Sequence, residues 1–299
     1  MKEGVFMADA QGNDLVKNYH LDAPVKNDGF HVKGMNNVDW GMKNRLSRIF
    51  NPVSGNTVML AFDHGYIMGS TAGLERLDIV VPELANDVDC LMGTRGGLRA
   101  CVPPCYTNAV ALRVSAGSTV AADDVTHEVI GVNMEDAIRM NAACVAVQTF
   151  IGVPDEEKNS IQNLVTTIDA GYRYGIPTLG VVAVGKQMAR DTRFFLLATR
   201  VVAELGANVI KTYYCDDFEK VVAACPVPIV VAGGKKLPEK EALELAYNAI
   251  SKGANGVDMG RNIFQAEDPK AMTKAINMIV HHNSNVAAAY EFYLDTKKK

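Results

Sequence analysis

The chain has 299 residues, 48% hydrophobic and 21% charged, with a formal net charge of −4. That balance is ordinary for a globular protein, and no long basic run other than Lys297-Lys298-Lys299 points to a nucleic-acid partner. No apolar run reaches the roughly 18 residues of a membrane span, and the first residues lack the apolar core of a secretory signal.

Six cysteines in a chain of this length do not make a disulfide framework. Cys101 and Cys105 have no second pair at zinc-ligand spacing, so no metal site is expected. The reading is a cytoplasmic protein with reduced, structural cysteines.

Residues 1–55 read as an N-terminal extension, polar at first. It ends in an amphipathic stretch, 40–50 (WGMKNRLSRIF), with Trp40, Leu46, Ile49 and Phe50 assigned to one helical face. From Thr57 onward short apolar runs alternate with helical patterns. The runs are 57–62, 88–92, 109–114, 144–149, 178–184, 208–211, 228–232 and 256–259. Continuous apolar runs suit strands covered on both faces. Eight strand–helix units predict a (β/α)8 TIM barrel over residues 56–282.

Between the runs, the spacing predicts helices over 135–143 and over 160–170, the latter capped by Ser160 and closed by Gly171. Further helices are predicted over 238–252 and 270–282, each opened by a proline. His127, His281 and His282 fall in predicted helices and read as solvent-facing. Residues 283–299 form an extra C-terminal helix and tail, with no place in an eight-unit barrel and a neighbouring subunit as one possible contact.

Barrel chemistry gathers at the C-terminal ends of the strands. Lys211 closes the sixth run, where desolvation resists an ammonium and lowers its pKa. A neutral lysine is a nucleophile toward ketones. The alternative is a structural lysine paired with Asp63. Asp63 and His64 end the first run as candidates for proton transfer, although strand geometry would turn only one of them inward unless the chain bends at Gly65. Gly233-Gly234 and Gly260-Arg261 follow the seventh and eighth runs, where barrels often build phosphate sites. Arg95, Ser115 and Gln148 are weaker candidates for orienting substrate, and Lys235 and Lys236 for contacting phosphate.

The stretches LSRIFNP, VMLAFDHGY, TRGGLR, NMEDAIRMNA, VIKTYY, CPVPIVVAGGKKLPE and GVDMGRNIFQ resemble the archaeal-type class I fructose-bisphosphate aldolases, from about Trp40 to His282. The likeness is nearest to a thiolase branch that ends the bacterial processing of phosphorylated autoinducer-2. It implies a Schiff base on Lys211, Asp63 as the first-strand aspartate, and phosphate loops at Gly233-Gly234 and Gly260-Arg261. It also implies coenzyme A as co-substrate, no permanently bound cofactor, and large homo-oligomeric rings such as decamers. The aldolases carry a tyrosine general acid after the fifth strand, and this sequence has Val184 there. That departure favours acetyl transfer from a phosphorylated 2,4-dione to coenzyme A over plain aldol cleavage. A class I aldolase acting on another sugar phosphate, or a non-catalytic sugar-phosphate sensor, are the competing readings.

Overall fold

The computed structural model describes residues 20–24, 29–183 and 190–297. All eight anticipated runs are strands: β1 (Thr57–Ala61), β2 (Cys90–Thr94), β3 (Ala109–Arg113), β6 (Cys144–Thr149), β7 (Thr178–Val182), β8 (Val209–Tyr213), β9 (Ile229–Ala232) and β10 (Gly256–Met259). They close into a parallel barrel in the order β1-β10-β9-β8-β7-β6-β3-β2. Helices fill the crossovers, as parallel pairing requires. The end of the fifth run and the loop after it, including Val184 and Lys186, lie outside the described residues.

One insertion breaks the alternation. After β3 the chain forms an antiparallel hairpin, β4 (Ser115–Gly117) with β5 (Glu128–Ile130). Its short strands and polar connection carry too little periodicity to be read from sequence. Gly117 is needed here, because a Cβ would lie 2.0 Å from the His127 carbonyl oxygen.

Helix α1 (Trp40–Ile49) is capped by Asp39, whose side chain accepts from the Met42 amide. It lies at the N-terminal end of the barrel. There the Arg45 guanidinium donates to the Gly175 carbonyl, and the Asn208 amide meets the Met42 sulfur. Its buried face is Met42, Leu46 and Ile49, with Phe50 just beyond. Trp40 does not join it and is 78% exposed. Six residues separate Trp40 from Leu46, roughly 240° of helical rotation, so the two face apart.

Two other helices differ from their expected bounds. α5 (Met134–Arg139) stops short because Asn141 adopts a left-handed φ of 53°. α6 (Glu157–Tyr174) starts before Ser160, whose buried hydroxyl accepts from the Phe150 amide and donates to the Glu157 carbonyl instead of capping the helix. Gly171 lies inside α6, because a Cβ there would lie 2.5 Å from the Ile176 carbonyl oxygen. Gly175, at φ 67°, is the terminator.

The histidines also depart from expectation. His127 is exposed but sits in the extended lead into β5, its Nδ1 2.8 Å from Glu156. His281, in the last turn of α11 (Pro269–His282), points inward. Its Nε2 is 2.9 Å from Asp89 and its Nδ1 2.8 Å from the Ser54 hydroxyl.

Pro269 opens α11 as expected, and Asp268 caps it, its side chain accepting from the Lys270 and Ala271 amides. The last helix, α12 (Val286–Thr296), lays Ala289 and Tyr293 against α11 and against α9 (Glu239–Ser251) of its own chain. Among the described residues no helix is long and apolar enough to cross a membrane.

Candidate active site

Parallel pairing decides which side chains enter the barrel. Partners in register share a face, and alternate residues along a strand share it too. Gln148 pairs with Val181, and Val181 pairs with Lys211. Arg113 pairs with Ala146, two residues before Gln148. Lys211 leads through Tyr213 and Ala232 to Asp258. One inward column therefore carries Arg113, Gln148, Lys211, Tyr213 and Asp258 at the C-terminal end of the barrel.

Lys211 meets Asp258 there, Nζ to Oδ2 2.8 Å, with the lysine side chain 11% and the aspartate side chain 0% exposed. The Met92 sulfur lies 3.5 Å from the ammonium. Apart from Lys211, the Asp258 oxygens find no hydrogen-bond partner among the described residues. Burial pulls the lysine pKa down, but the Asp258 and Asp63 carboxylates outweigh it and leave Lys211 above its ordinary value. The expectation of a neutral resting lysine is thus overturned: the ammonium is held charged by Asp258. Burial conversely raises the Asp258 carboxyl against the pull of Lys211, which makes it a better proton acceptor than an exposed aspartate.

Asp63 is not the lysine's ion-pair partner. It accepts from Arg113, Nη1 to Oδ2 3.1 Å. The same buried guanidinium donates to both oxygens of Glu128 at 2.8 and 3.0 Å, to the Gln148 Oε1 at 2.7 Å, to the Ser115 carbonyl and to the Tyr66 hydroxyl. The Tyr66 hydroxyl in turn donates to Glu128 at 2.6 Å. Burial drives the Tyr66 phenol upward and keeps it neutral. The hairpin β4–β5 exists in this setting to deliver Glu128, 1% exposed, over Arg113.

His64 follows the end of β1 in helical conformation and opens the short helix α2 (Gly65–Met68). That bend lets both Asp63 and His64 reach one cavity, which strand alternation alone would forbid. The imidazole is 3.0 Å from the Thr71 hydroxyl and stacks on Phe264 with centroids 5.4 Å apart. Burial lowers its pKa, Arg261 and Lys211 lower it further, and Asp63 only partly opposes them.

Two cavities meet at Lys211. The smaller, about 140 Å³, is lined by Lys211, Asp63, His64, Asp258, Gly233, Gly234, Gly260 and Arg261. The larger, about 670 Å³, is lined by Lys211, Tyr213, Gln148, Phe150, Val153, Pro154, Val181 and Ala183, among others. The Arg190 guanidinium stacks 4.3 Å over the Tyr213 ring.

Gly234 adopts φ 69°, a left-handed turn that glycine takes without strain. Asn262 ties the two glycine loops together. Its amide donates to the Gly233 carbonyl at 2.7 Å and its oxygen accepts from the Leu237 amide at 2.8 Å. Replacing this buried residue, Asn262→Ala, is expected to cost about 2 kcal/mol of stability, read from the urea midpoint, because two backbone groups lose their partner.

The structure thus gathers Lys211, Asp63, His64, Gly233, Gly234, Gly260 and Arg261 around one cavity. Arg95 is not among them. It opens α4 (Arg95–Cys101), and its guanidinium turns to Asp136 at 3.1 Å, outside both cavities. Lys236 pairs with Glu239 at 2.8 Å. Sequence reading passed over Arg113, Asp258, Glu128 and Tyr66. The first two left a signal, a charged residue at an inward position of an apolar strand. Glu128 and Tyr66 lie in loop-like sequence and left none.

Residues 57–266 match the DeoC/LacD family aldolase model. The chain belongs to the DeoC/LacD aldolase family. Relatives in this family share about half of its residues. The 3-hydroxy-5-phosphonooxypentane-2,4-dione thiolase of Escherichia coli (strain K12) is 52% identical over 293 residues, covering 98% of this chain and 100% of that protein. The thiolase of the same name from Photorhabdus laumondii is 53% identical over 293 residues, with the same coverage.

The aldolase barrel is also matched among solved structures. An archaeal fructose 1,6-bisphosphate aldolase superposes with TM-score 0.72 at 24% identity, covering 81% of this chain and 99% of that one. Another, with its catalytic lysine bound to the carbinolamine intermediate, gives TM-score 0.73 at 22% identity, covering 80% and 99%. At these identities the likeness is one of fold.

Proposed function

We propose that the chain is a thiolase that moves the acetyl group of 3-hydroxy-5-phosphonooxypentane-2,4-dione to coenzyme A. The products are dihydroxyacetone phosphate and acetyl-CoA, and Lys211 carries the substrate as a Schiff base. The observation that carries this reading is the position of Lys211, buried against Asp258 at the seam of two cavities. Full-length likeness to thiolases named for that substrate supports the choice of acyl group and acceptor.

In the smaller cavity the glycine loops and Arg261 suit a phosphate, through backbone N–H groups and a charged fork. Asp258 takes the ammonium proton, and the freed amine adds to the C4 ketone. Loss of water gives an iminium. Attack of the thiol at C2 then breaks C2–C3, and the electron pair drains toward the iminium as an enamine. Protonation at C3 and hydrolysis release dihydroxyacetone phosphate.

His64 is suited to the proton transfers because its depressed pKa keeps the imidazole neutral. A base works when deprotonated, so lowering its pKa extends activity toward acid. The acidic limb of kcat/KM is expected to fall below the ordinary histidine value, near 6.5, and to vanish in His64→Gln. A limb unchanged in that variant would assign the proton to Asp63. Assembly into a homo-oligomeric ring in the cytoplasm completes the proposal, and light scattering tests the assembly.

The reading is tested by assaying dione turnover with and without coenzyme A, and by borohydride reduction in the presence of dihydroxyacetone phosphate. Acetyl-CoA formation and a modified Lys211 peptide are expected. Turnover without coenzyme A would identify a lyase acting by aldol cleavage. An adduct on Lys186 or Lys235 would remove Lys211 from the mechanism.

A further inference from the structure

The proposed function places the phosphate in the smaller cavity, and the larger cavity opens onto the same lysine. It offers apolar walls, Val153, Pro154 and Val181, two acidic side chains, Asp123 and Asp124, and from the inward column the uncharged polar side chains of Gln148 and Tyr213, of which Gln148 carries the amide donor. Gln148 and Lys211 stand at one level of the barrel, linked through the register of Val181 between them. The guanidinium of Arg113 can only donate, so the Gln148 oxygen, 2.7 Å away, must face it. That contact fixes the amide's orientation. Nε2 makes no hydrogen bond among the described residues. A second anchor, the Gln148 backbone amide donating to Ser115 Oγ at 3.0 Å, fixes the strand beneath it.

We propose that Gln148 donates from Nε2 to the oxyanion formed when a thiol attacks the acyl carbonyl of the Lys211-bound substrate, and that the larger cavity receives the acyl group and the thiol. This rests on the thiolase reading above. With the phosphate in the smaller cavity and C4 bonded to Lys211, the chain beyond C4 runs the other way, toward Gln148.

The step balances. The thiol gives its proton to a base, and sulfur bonds to C2 while the carbonyl π pair moves to oxygen as an alkoxide facing the Gln148 N–H. The C=O re-forms as C2–C3 breaks, and that pair becomes the C3=C4 bond of the enamine as the iminium nitrogen accepts its π electrons. No oxidant or reductant is needed. A donor poised for the developing oxyanion, and uncommitted in the ground state, acts mainly on kcat.

The test compares Gln148→Glu and Gln148→Leu in the full chain. The glutamate keeps an acceptor for Arg113 and loses the donor, and the leucine removes both. Two readouts are taken: kcat and KM for acetyl-CoA formation from the dione, and borohydride trapping of dihydroxyacetone phosphate on Lys211. Both variants are expected to lose about 10²–10³ in kcat, the range for removing one oxyanion donor, with trapping and both KM values near wild type.

Retention of kcat within about threefold in either variant, far short of that range, would overturn the inference. A parallel loss of trapping would do so too, since Gln148 would then serve the lysine or the fold. Wild-type protein that traps the ketone but forms no acetyl-CoA would instead sink the thiolase reading, and the inference with it. Wild-type protein that traps nothing would remove Lys211 itself.

Discussion

Lys211→Met is expected to abolish Schiff-base trapping and to cut acetyl-CoA formation by at least about 10³-fold, about 4 kcal/mol of transition-state stabilisation. It has a second consequence that an ordinary active-site substitution would not. The ammonium is the one partner of Asp258 among the described residues, at 2.8 Å, and the aspartate side chain is itself fully buried. Removing one member of such a pair leaves an uncompensated buried charge, at a cost of about 3–5 kcal/mol.

The single variant should therefore be less stable as well as inactive. Adding Asp258→Asn should recover much of the stability while activity stays lost. Denaturation midpoints of wild type, both single variants and the double variant measure this directly. Equal stability of Lys211→Met and the double variant would mean that Asp258 is not burdened by the missing cation. The cycle also separates the lysine's chemical part from its structural part, which one substitution cannot do.

Arg113→Met is expected to be the most destabilising single change at the barrel mouth, by about 3–5 kcal/mol. Its guanidinium serves Asp63, Glu128, Gln148, Tyr66 and the Ser115 carbonyl at once. Truncation would leave Glu128, 1% exposed, facing Asp63 with no cation between them. Methionine fills most of the vacated volume, so the loss reads mainly the charge and not a cavity.

Glu128→Gln in the same background should return part of the stability, measured as the coupling energy of a double-mutant cycle. Additive effects would show that the Arg113–Glu128 contact carries no energy of its own. Because Arg113 orients Gln148, its removal should also lower kcat, and more steeply than it lowers trapping on Lys211.

The barrel was legible because its strands are covered on both faces. Each reads as a short apolar run, with nothing else in the sequence competing for that pattern. Lys211 was legible for the same reason, as a charge where the surroundings are apolar. Its partner was not. Asp258 sits in GVDM and Arg113 in AVALRV, and pairing between strands distant in sequence cannot be read from either run alone.

The hairpin β4–β5 escaped notice because three-residue strands joined by polar sequence have no usable period. Trp40 was misassigned because a large apolar residue at a helix start draws attention, whereas the buried stripe begins at Met42. Arg95 stands where substrate contacts are common, but Asp136 on a neighbouring helix claims its guanidinium. Sequence position placed both correctly along the chain and could not say which way they turn.

The Lys211–Asp258 pair also bears on the direction of the proposed cycle. Condensation replaces an ammonium with an iminium, so the nitrogen stays cationic beside a carboxylate that has little else to face. The resting and covalently loaded forms thus sit in one field, and little dipolar rearrangement separates them. The uncharged stages, the free amine and the enamine, forgo that attraction. An enamine next to an unsatisfied carboxylate is the high point of such a sequence, and taking a proton at carbon restores the cation. In the proposed cycle the Asp258 carboxylate, once it has given back the proton taken from the ammonium, favours protonation of the enamine at carbon over a long-lived nucleophilic carbon.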